Sequence, residues 1–74
     1  MLRENALAQL RRRKEISQEE LAAALGVSQA RVSSIERADE PQIATMRRFI
    51  EALGGELIVQ VRIDGETFDL LARE

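Results

Sequence analysis

The side chains with the greatest capacity for recognition chemistry lie between positions 28 and 37. Hydroxyl, amide and guanidinium groups fall within this stretch, at Ser28, Gln29, Arg31, Ser33, Ser34 and Arg37. Amides and hydroxyls both donate and accept hydrogen bonds, and a guanidinium pairs with anions such as phosphate. The stretch therefore suits the recognition of a polar, anionic partner.

The composition excludes the commonest catalytic and metal-binding sites. The 74 residues include no cysteine and no histidine. Their absence removes disulfides, the usual zinc ligands, the Cys-His pair and the Ser-His-Asp relay. We therefore expect no enzymatic activity, no metal and no cofactor.

Two short helices joined by a tight turn are predicted to position this stretch. Ser17 and Glu20 have the spacing of a capping box, which begins a helix. Gly26 ends that helix near Leu25, because glycine adopts the left-handed conformation at low steric cost. Ser28 can then cap a further helix that begins almost at once.

The spacing of small and apolar residues supports a helix-turn-helix. Ala22 stands where the two helices would cross and permits a close approach. The expected internal core of the pair is Leu21, Val27, Val32 and Ile35. Two such helices, the second with exposed polar groups at its start, form the unit that enters the major groove of DNA.

Amphipathic patterns predict one helix before this pair and another after it. The first spans Leu2 to Lys14, and the last follows Pro41 and ends at Gly54-Gly55. The apolar stripe of the last helix is Ile43, Met46, Phe49, Ile50 and Leu53. The predicted fold class is mainly α, with four to five helices and a C-terminal β-strand or β-hairpin.

Beyond the glycine pair the spacing of apolar residues changes from a repeat of 3.6 residues to a repeat of 2, which predicts a strand over Leu57–Ile63. Asp64-Gly65 favours a type I′ hairpin turn, and a return strand would place Val61 opposite Phe68. We expect residues 1–55 to form a helix-turn-helix domain and residues 56–74 to form a dimerisation segment.

A chain of this size buries a small core, and a lone hairpin is barely stable, so a partner surface is expected. One prediction is that the first strand pairs with its own copy in a second chain across a two-fold axis. The residues concerned are Leu57, Val59, Val61 and Ile63. The alternative is that both strands fold onto the last helix within one chain.

The formal net charge of −2 is unevenly distributed. Residues 1–37 hold seven Lys or Arg against five acids (+2), and residues 38–74 hold four against eight (−4). The basic half is suited to contacts with phosphates, and the acidic half is suited to binding a basic protein. No apolar run approaches the roughly 20 residues that cross a bilayer, so we expect a cytoplasmic protein without a membrane partner.

The segment QEELAAALGVSQARVSSIER, from Gln18 to Arg37, resembles the helix-turn-helix of the phage-repressor (Cro/C1, or Xre) family. The resemblance extends over about residues 2–53. The later segment ATMRRFIEALGGELIVQVRI resembles the HigA-like and HipB-like antitoxins of type II toxin-antitoxin modules. The resemblance implies strand-mediated dimers and a lambda-repressor-like fold.

The resemblance also implies a role for individual residues. Base contacts would come from Gln29, Ala30, Ser33 and Ser34, and phosphate contacts from Gln18, Ser28, Arg31 and Arg37. A structural ion pair would join Arg11 to Glu36. The chain departs from the family in the loop after the recognition helix, where Asp39 and Glu40 replace basic residues.

Simpler interpretations compete with these roles. Arg12, Arg13 and Lys14 would serve equally as a solvated face. Gln29 and the serines would serve as ordinary solvent-facing residues, and Ser28 as a helix cap alone.

The resulting hypothesis is a homodimeric repressor that binds a palindromic operator in double-stranded DNA. As an antitoxin it would also neutralise a toxin, either a RelE/HigB-like ribonuclease or a HipA-like kinase, and residues 56–74 would then serve in toxin binding as well as in dimerisation. One alternative is a stand-alone prophage or plasmid regulator with no toxin. Another is a protein-binding adaptor that uses the helix-turn-helix only as a scaffold.

Overall fold

The computed structural model describes residues 3–71, which form four helices followed by an antiparallel hairpin. The elements are α1 (Ala6–Arg13), α2 (Gln18–Leu25), α3 (Gln29–Arg37), α4 (Ile43–Ala52), β1 (Gln60–Ile63) and β2 (Glu66–Asp69). This architecture confirms the predicted fold class. Within residues 3–71, no helix has the length and apolar character required to cross a bilayer.

Helices α2 and α3 begin where their capping residues predict, and α2 ends at the predicted glycine. The Ser17 hydroxyl accepts from the backbone N–H of Glu20, and the Glu20 carboxylate accepts from that of Ser17, both at 3.0 Å. Gly26 ends α2 with a left-handed φ of 69°. The Ser28 hydroxyl accepts from the backbone N–H of Arg31 at 3.1 Å and so caps α3. The turn between the helices is therefore fixed by local chemistry.

The core lies where the four helices meet. Its buried apolar residues are Leu7, Ala8, Leu21, Ala22, Val32, Ile35, Phe49 and Leu53, with Val27, Met46 and Ile50 packed partly against them. Ala22 is buried, as expected for the residue at the crossing of α2 and α3. Ile43, which was predicted to share the stripe of α4, is 38% exposed. It is the first residue of that helix and lies at the margin of the core.

Helix α1 begins at Ala6, after the N-cap Asn5, rather than earlier as the apolar pattern predicts; the predicted first residue, Leu2, lies outside the described residues. Asn5 has an extended backbone, and its side-chain oxygen accepts from the backbone N–H of Leu7 at 3.0 Å. Its own N–H donates to the carbonyl of Glu36 at 2.7 Å, and its side-chain amide donates to two carbonyls at the end of α3. These bonds hold residue 5 outside the helix and join the start of α1 to the end of α3.

The hairpin has the predicted turn and register but a shorter first strand. Asp64 and Gly65 both have positive φ, at 53° and 79°, as a type I′ turn requires, and Val61 lies opposite Phe68. Strand β1 begins at Gln60 rather than at residue 57, because β2 ends at the residue that pairs with Gln60. One further hydrogen bond, from the N–H of residue 70 to the carbonyl of residue 59 at 2.8 Å, continues the ladder.

One face of the hairpin is apolar and open to solvent. Alternation along the strands places Val61, Ile63, Phe68 and Leu70 on the same face. Ile63 and Leu70 are each 58% exposed, and Phe68 is 48% exposed. Within one chain, therefore, the strands do not fold onto α4 as part of the core, contrary to the alternative considered from the sequence.

Candidate nucleic-acid interface

Helix α3 carries a row of short side chains at the protein surface, which we call the α3 row: Gln29, Ala30, Ser33 and Ser34. Three of the four are exposed, and Ser33 is half-buried. The helix is anchored from its other side by Val32, which has no exposed surface. The residues predicted to contact bases thus lie together on one rigid helix.

Two exposed arginines lie on the same helix as the row. Arg37 donates through Nε to the backbone carbonyl of Ser33 at 3.3 Å. Arg31 borders a notch of about 280 Å³ between α3 and the start of α4, which Gln42 and Thr45 also line. No sequence pattern marks Gln42 and Thr45 as part of this surface, because only the tertiary fold brings them beside α3. The available signal was their place at the start of a helix directly after a proline.

A buried ion pair braces α3 from behind. Arg11 donates through Nε to Glu36 Oε2 at 2.6 Å and through Nη2 to Oε1 at 3.1 Å. The two residues are only 7% and 1% exposed. Arg11 also donates through Nη1 to the carbonyl of Ile16 at 2.9 Å. The structure therefore confirms the ion pair that the resemblance implies.

The environment of Glu36 favours its charged form. Burial alone raises the pKa of this carboxyl. Hydrogen bonds from Arg11 and Gln18, together with the positive charge of Arg11, outweigh that effect and hold the pKa below its ordinary value. Glu36 is therefore an ionised, acceptor-only group near neutral pH.

Gln18 connects the buried pair to the α3 row. Its Nε2 donates to Glu36 Oε1 at 3.0 Å, and its Oε1 accepts from Gln29 Nε2 at 3.4 Å. The residue predicted as a phosphate ligand is thus held at both ends of its amide by the protein, with one N–H not used in these bonds. Sequence reasoning missed this arrangement because Glu36 lies 18 residues away, on another helix.

Other arginines have structural partners. Arg48 donates through Nη2 to the carbonyl of Leu25 at 3.3 Å and so joins α4 to the end of α2. Arg12 pairs with Glu4 at 2.5 Å, and both side chains are substantially exposed. For Arg12 this favours the interpretation as part of a solvated face.

The match to known proteins covers the four helices and the approach to the hairpin. A family model described as helix-turn-helix matches residues 7–59. The chain belongs to the helix-turn-helix family. The resemblance seen in the segment from Gln18 to Arg37 is thereby confirmed.

Two curated relatives of this helix-turn-helix protein come from Mycobacterium tuberculosis (strain ATCC 25618 / H37Rv). "Putative antitoxin HigA2" is 44% identical over 66 residues, which cover 86% of this chain and 65% of the relative. "Putative antitoxin HigA3" is 39% identical over 57 residues, which cover 74% of this chain and 52% of the relative. The chain thus spans between about half and about two thirds of the length of these relatives.

Two solved structures share the fold. One, described as "Induced DNA bending by unique dimerization of HigA antitoxin", has a TM-score of 0.80 at 36% identity, over 89% of this chain and 91% of that chain. The other, described as "DNA bound antitoxin HigA3", has a TM-score of 0.82 at 34% identity, over 100% of this chain and 96% of that chain. The similarity therefore includes the hairpin as well as the helices.

Proposed function

We propose that this helix-turn-helix protein is a sequence-specific DNA-binding repressor that acts as the antitoxin of a type II toxin-antitoxin module. The observation that carries the proposal is the α3 row, a set of short side chains on an exposed helix that a buried ion pair braces. The DNA-bound HigA3 structure, which resembles the whole chain, supports the same function. In this function the protein acts by binding rather than by catalysis, in the cytoplasm.

The proposed interface has base-reading and phosphate-holding parts. Gln29, Ala30, Ser33 and Ser34 read base edges in the major groove, where a glutamine amide matches adenine and a methyl group contacts that of thymine. Gln18, Ser28, Arg31 and Arg37 contact phosphates and fix the position of the helix on the duplex. Asp39 and Glu40 are exposed in the loop after α3, and their negative charges repel the phosphates of DNA. The arginines of α3 therefore supply a larger share of the phosphate contacts than the loop does.

We assign residues 1–55 to DNA binding and residues 56–74 to assembly. The exposed apolar face of the hairpin, which includes Val61 and Ile63, needs a cover, and the edge of β1 that no strand within residues 3–71 pairs with can join a second chain. Leu57 and Val59, half-buried beside the hairpin, complete the proposed dimer contact. A two-fold dimer would set two copies of α3 about 34 Å apart, which matches a palindromic operator.

Phe68→Glu is expected to convert the dimer into a monomer, because it places a charge on the apolar face of the hairpin. Thr67→Glu is the matched control, since the adjacent residue points to the opposite face and lies across from Arg62. Sedimentation velocity at micromolar concentration measures the change. Equal dimer content in the two variants would show that this face is not the interface.

The antitoxin role draws on the relatives and on charge. The relatives carry the name antitoxin, and residues 38–74 have a net charge of −4, which suits a basic protein partner. The partner would be a RelE/HigB-like ribonuclease or a HipA-like kinase. A stand-alone regulator would share the DNA interface, and the absence of a short basic reading frame beside the gene would favour it.

Selection of bound duplexes from a randomised pool tests the DNA-binding function. The expected result is enrichment of sequences with two inverted half-sites one helical turn apart, 10 to 10.5 base pairs centre to centre. A protein-binding adaptor that uses the helix-turn-helix as a scaffold would enrich no sequence, and that result would overturn the proposal.

A further inference from the structure

We propose that the joint formed by Gly54 and Gly55 is rigid, so that the fold of one chain fixes the spacing of the two half-sites that the dimer binds. The proposal rests on the DNA binding and dimerisation proposed above, and it gives this joint a role in specificity. Gly55 is then a positioning residue for α3, although it lies beyond the opposite end of α4.

Backbone hydrogen bonds close the end of α4 at this joint. Gly54 has a left-handed φ of 85°, and its N–H donates to the carbonyl of Glu51 at 3.0 Å. The N–H of Gly55 donates to the carbonyl of Ile50 at 2.9 Å. This pair of bonds is the Schellman motif, in which the two residues after a helix are bound to its last turn. The joint is therefore a continuation of α4 rather than a flexible linker.

Side-chain packing restricts the joint as well. A Cβ at Gly55 would lie 3.1 Å from Cγ2 of Ile50, closer than the separation of about 3.5 to 4.0 Å at which carbon atoms pack. Ile50 has little room to move, because it is β-branched and packs against the core. Beyond the joint, half-buried Leu57 lines one groove with Ile50 and Leu53. Backbone bonds and packing together fix the angle at which the chain leaves α4.

Helix α4 connects the joint to the DNA-binding surface, since its first residues border α3. Its ten residues span about 15 Å, so α3 lies about that far from the joint. Base pairs are about 3.4 Å apart, so a change of one base pair in spacing requires each copy of α3 to move by about 1.7 Å. A rotation of about 6° at each joint would be enough. A joint that rotates freely would thus accept several spacings, whereas a fixed joint selects one.

Two variants of the joint test the proposal. Insertion of Gly-Ser-Gly after Gly55 replaces the joint with a flexible linker, and Gly55→Val forces a β-branched side chain against Ile50. Glu56→Val is the matched control, because it adds the same side chain at an exposed neighbour. Sedimentation velocity and circular dichroism first establish that each variant is a folded dimer.

Affinities are then measured by fluorescence anisotropy for four duplexes. The first is the operator selected with the wild-type protein, and two others have one base pair more or one fewer between the half-sites. The fourth contains a single half-site. One added base pair also turns one half-site by about 35° relative to the other, which a rigid dimer cannot follow.

We expect the wild-type protein and Glu56→Val to bind the operator about 100-fold more tightly than the single half-site, and to lose most of this advantage at the other two spacings. The insertion should bring the three paired operators to within about threefold of one another. Gly55→Val should shift or broaden the preferred spacing and leave the base preferences within each half-site unchanged. If Gly55→Val is not a folded dimer, the insertion decides.

Three results would overturn the proposal. Equal binding of the wild-type protein to all three spacings would show that the dimer is not rigid. A spacing preference that stays as sharp after the insertion would show that the joint does not set it. A uniform loss of affinity in Gly55→Val, with the preferred spacing unchanged, would assign Gly55 a structural role alone. In each of these cases the DNA-binding function stands, whereas failure of the wild-type protein to select any DNA removes that function as well.

Discussion

Replacing Arg11 with methionine is expected to lower the free energy of unfolding by about 3 to 5 kcal/mol. The variant leaves the carboxylate of Glu36 buried without its partner, and Glu36 is 1% exposed. Small domains are stable by only about 5 to 15 kcal/mol, so much of the protein would unfold at moderate denaturant. Urea denaturation followed by far-ultraviolet circular dichroism measures the loss, at one fixed protein concentration because dimerisation adds to stability.

Arg12→Met is the matched control for this prediction. It removes the exposed ion pair with Glu4. The side chain of Arg12 is 54% accessible and that of Glu4 is 37% accessible. Solvent and salt screen exposed pairs of this kind, so we expect Arg12→Met to change the free energy of unfolding very little. Equal losses from Arg11→Met and Arg12→Met would contradict the role of the buried pair as a brace for α3.

Acid should narrow the difference in stability between the wild-type protein and Arg11→Met. In the folded protein the pKa of Glu36 is lowered, so its ionisation stabilises the fold above the unfolded pKa of about 4.3. That contribution is lost as the pH falls through the lower folded pKa. In the variant, protonation relieves the unpaired charge. The two denaturation midpoints should therefore converge below about pH 4.

Gln29→Ala is expected to cost about 1 to 3 kcal/mol of operator binding and to relax preference at one base pair per half-site. The expectation follows from the exposed place of Gln29 at the start of α3. Titration of operators with single substitutions measures it. A uniform loss across all substituted operators would show that Gln29 does not read a base.

Arg31→Ala and Arg37→Ala are the contrasting variants. Both residues are exposed on α3, and neither makes an ion pair among residues 3–71. A phosphate ligand carries no sequence information, so each variant should weaken binding to all duplexes alike and reduce the salt slope by about 1. A change in base preference would contradict the division of the interface into base-reading and phosphate-holding parts.

The elements that the sequence predicts best are those with local signals. The capping box of Ser17 and Glu20, the left-handed Gly26 and the turn at Asp64-Gly65 each depend on residues within four positions of one another. Such interactions are the same in any fold that contains them. The helix-turn-helix and the hairpin turn could therefore be placed without knowledge of the tertiary structure.

The features that the sequence did not reveal depend on distant contacts. Asn5 delays the start of α1 relative to the apolar pattern, because its side chain is bonded to the end of α3, some 30 residues away. Gln18 meets Glu36 only because α2 crosses α3. The first strand is shorter than its alternating pattern because a strand extends only as far as its partner does. Periodicity identifies a face but not the residue that will cover it.

The most direct test of DNA reading by α3 is the salt dependence of binding to the selected operator and to a scrambled duplex of equal length. Between 50 and 200 mM salt, operator affinity should fall by about 10³-fold, as expected for some six phosphate contacts. At each salt concentration the operator should be bound at least about 10³-fold more tightly than the scrambled duplex. Binding that is insensitive to salt, or equal for the two duplexes, would contradict the assignment of this surface to sequence-specific DNA recognition.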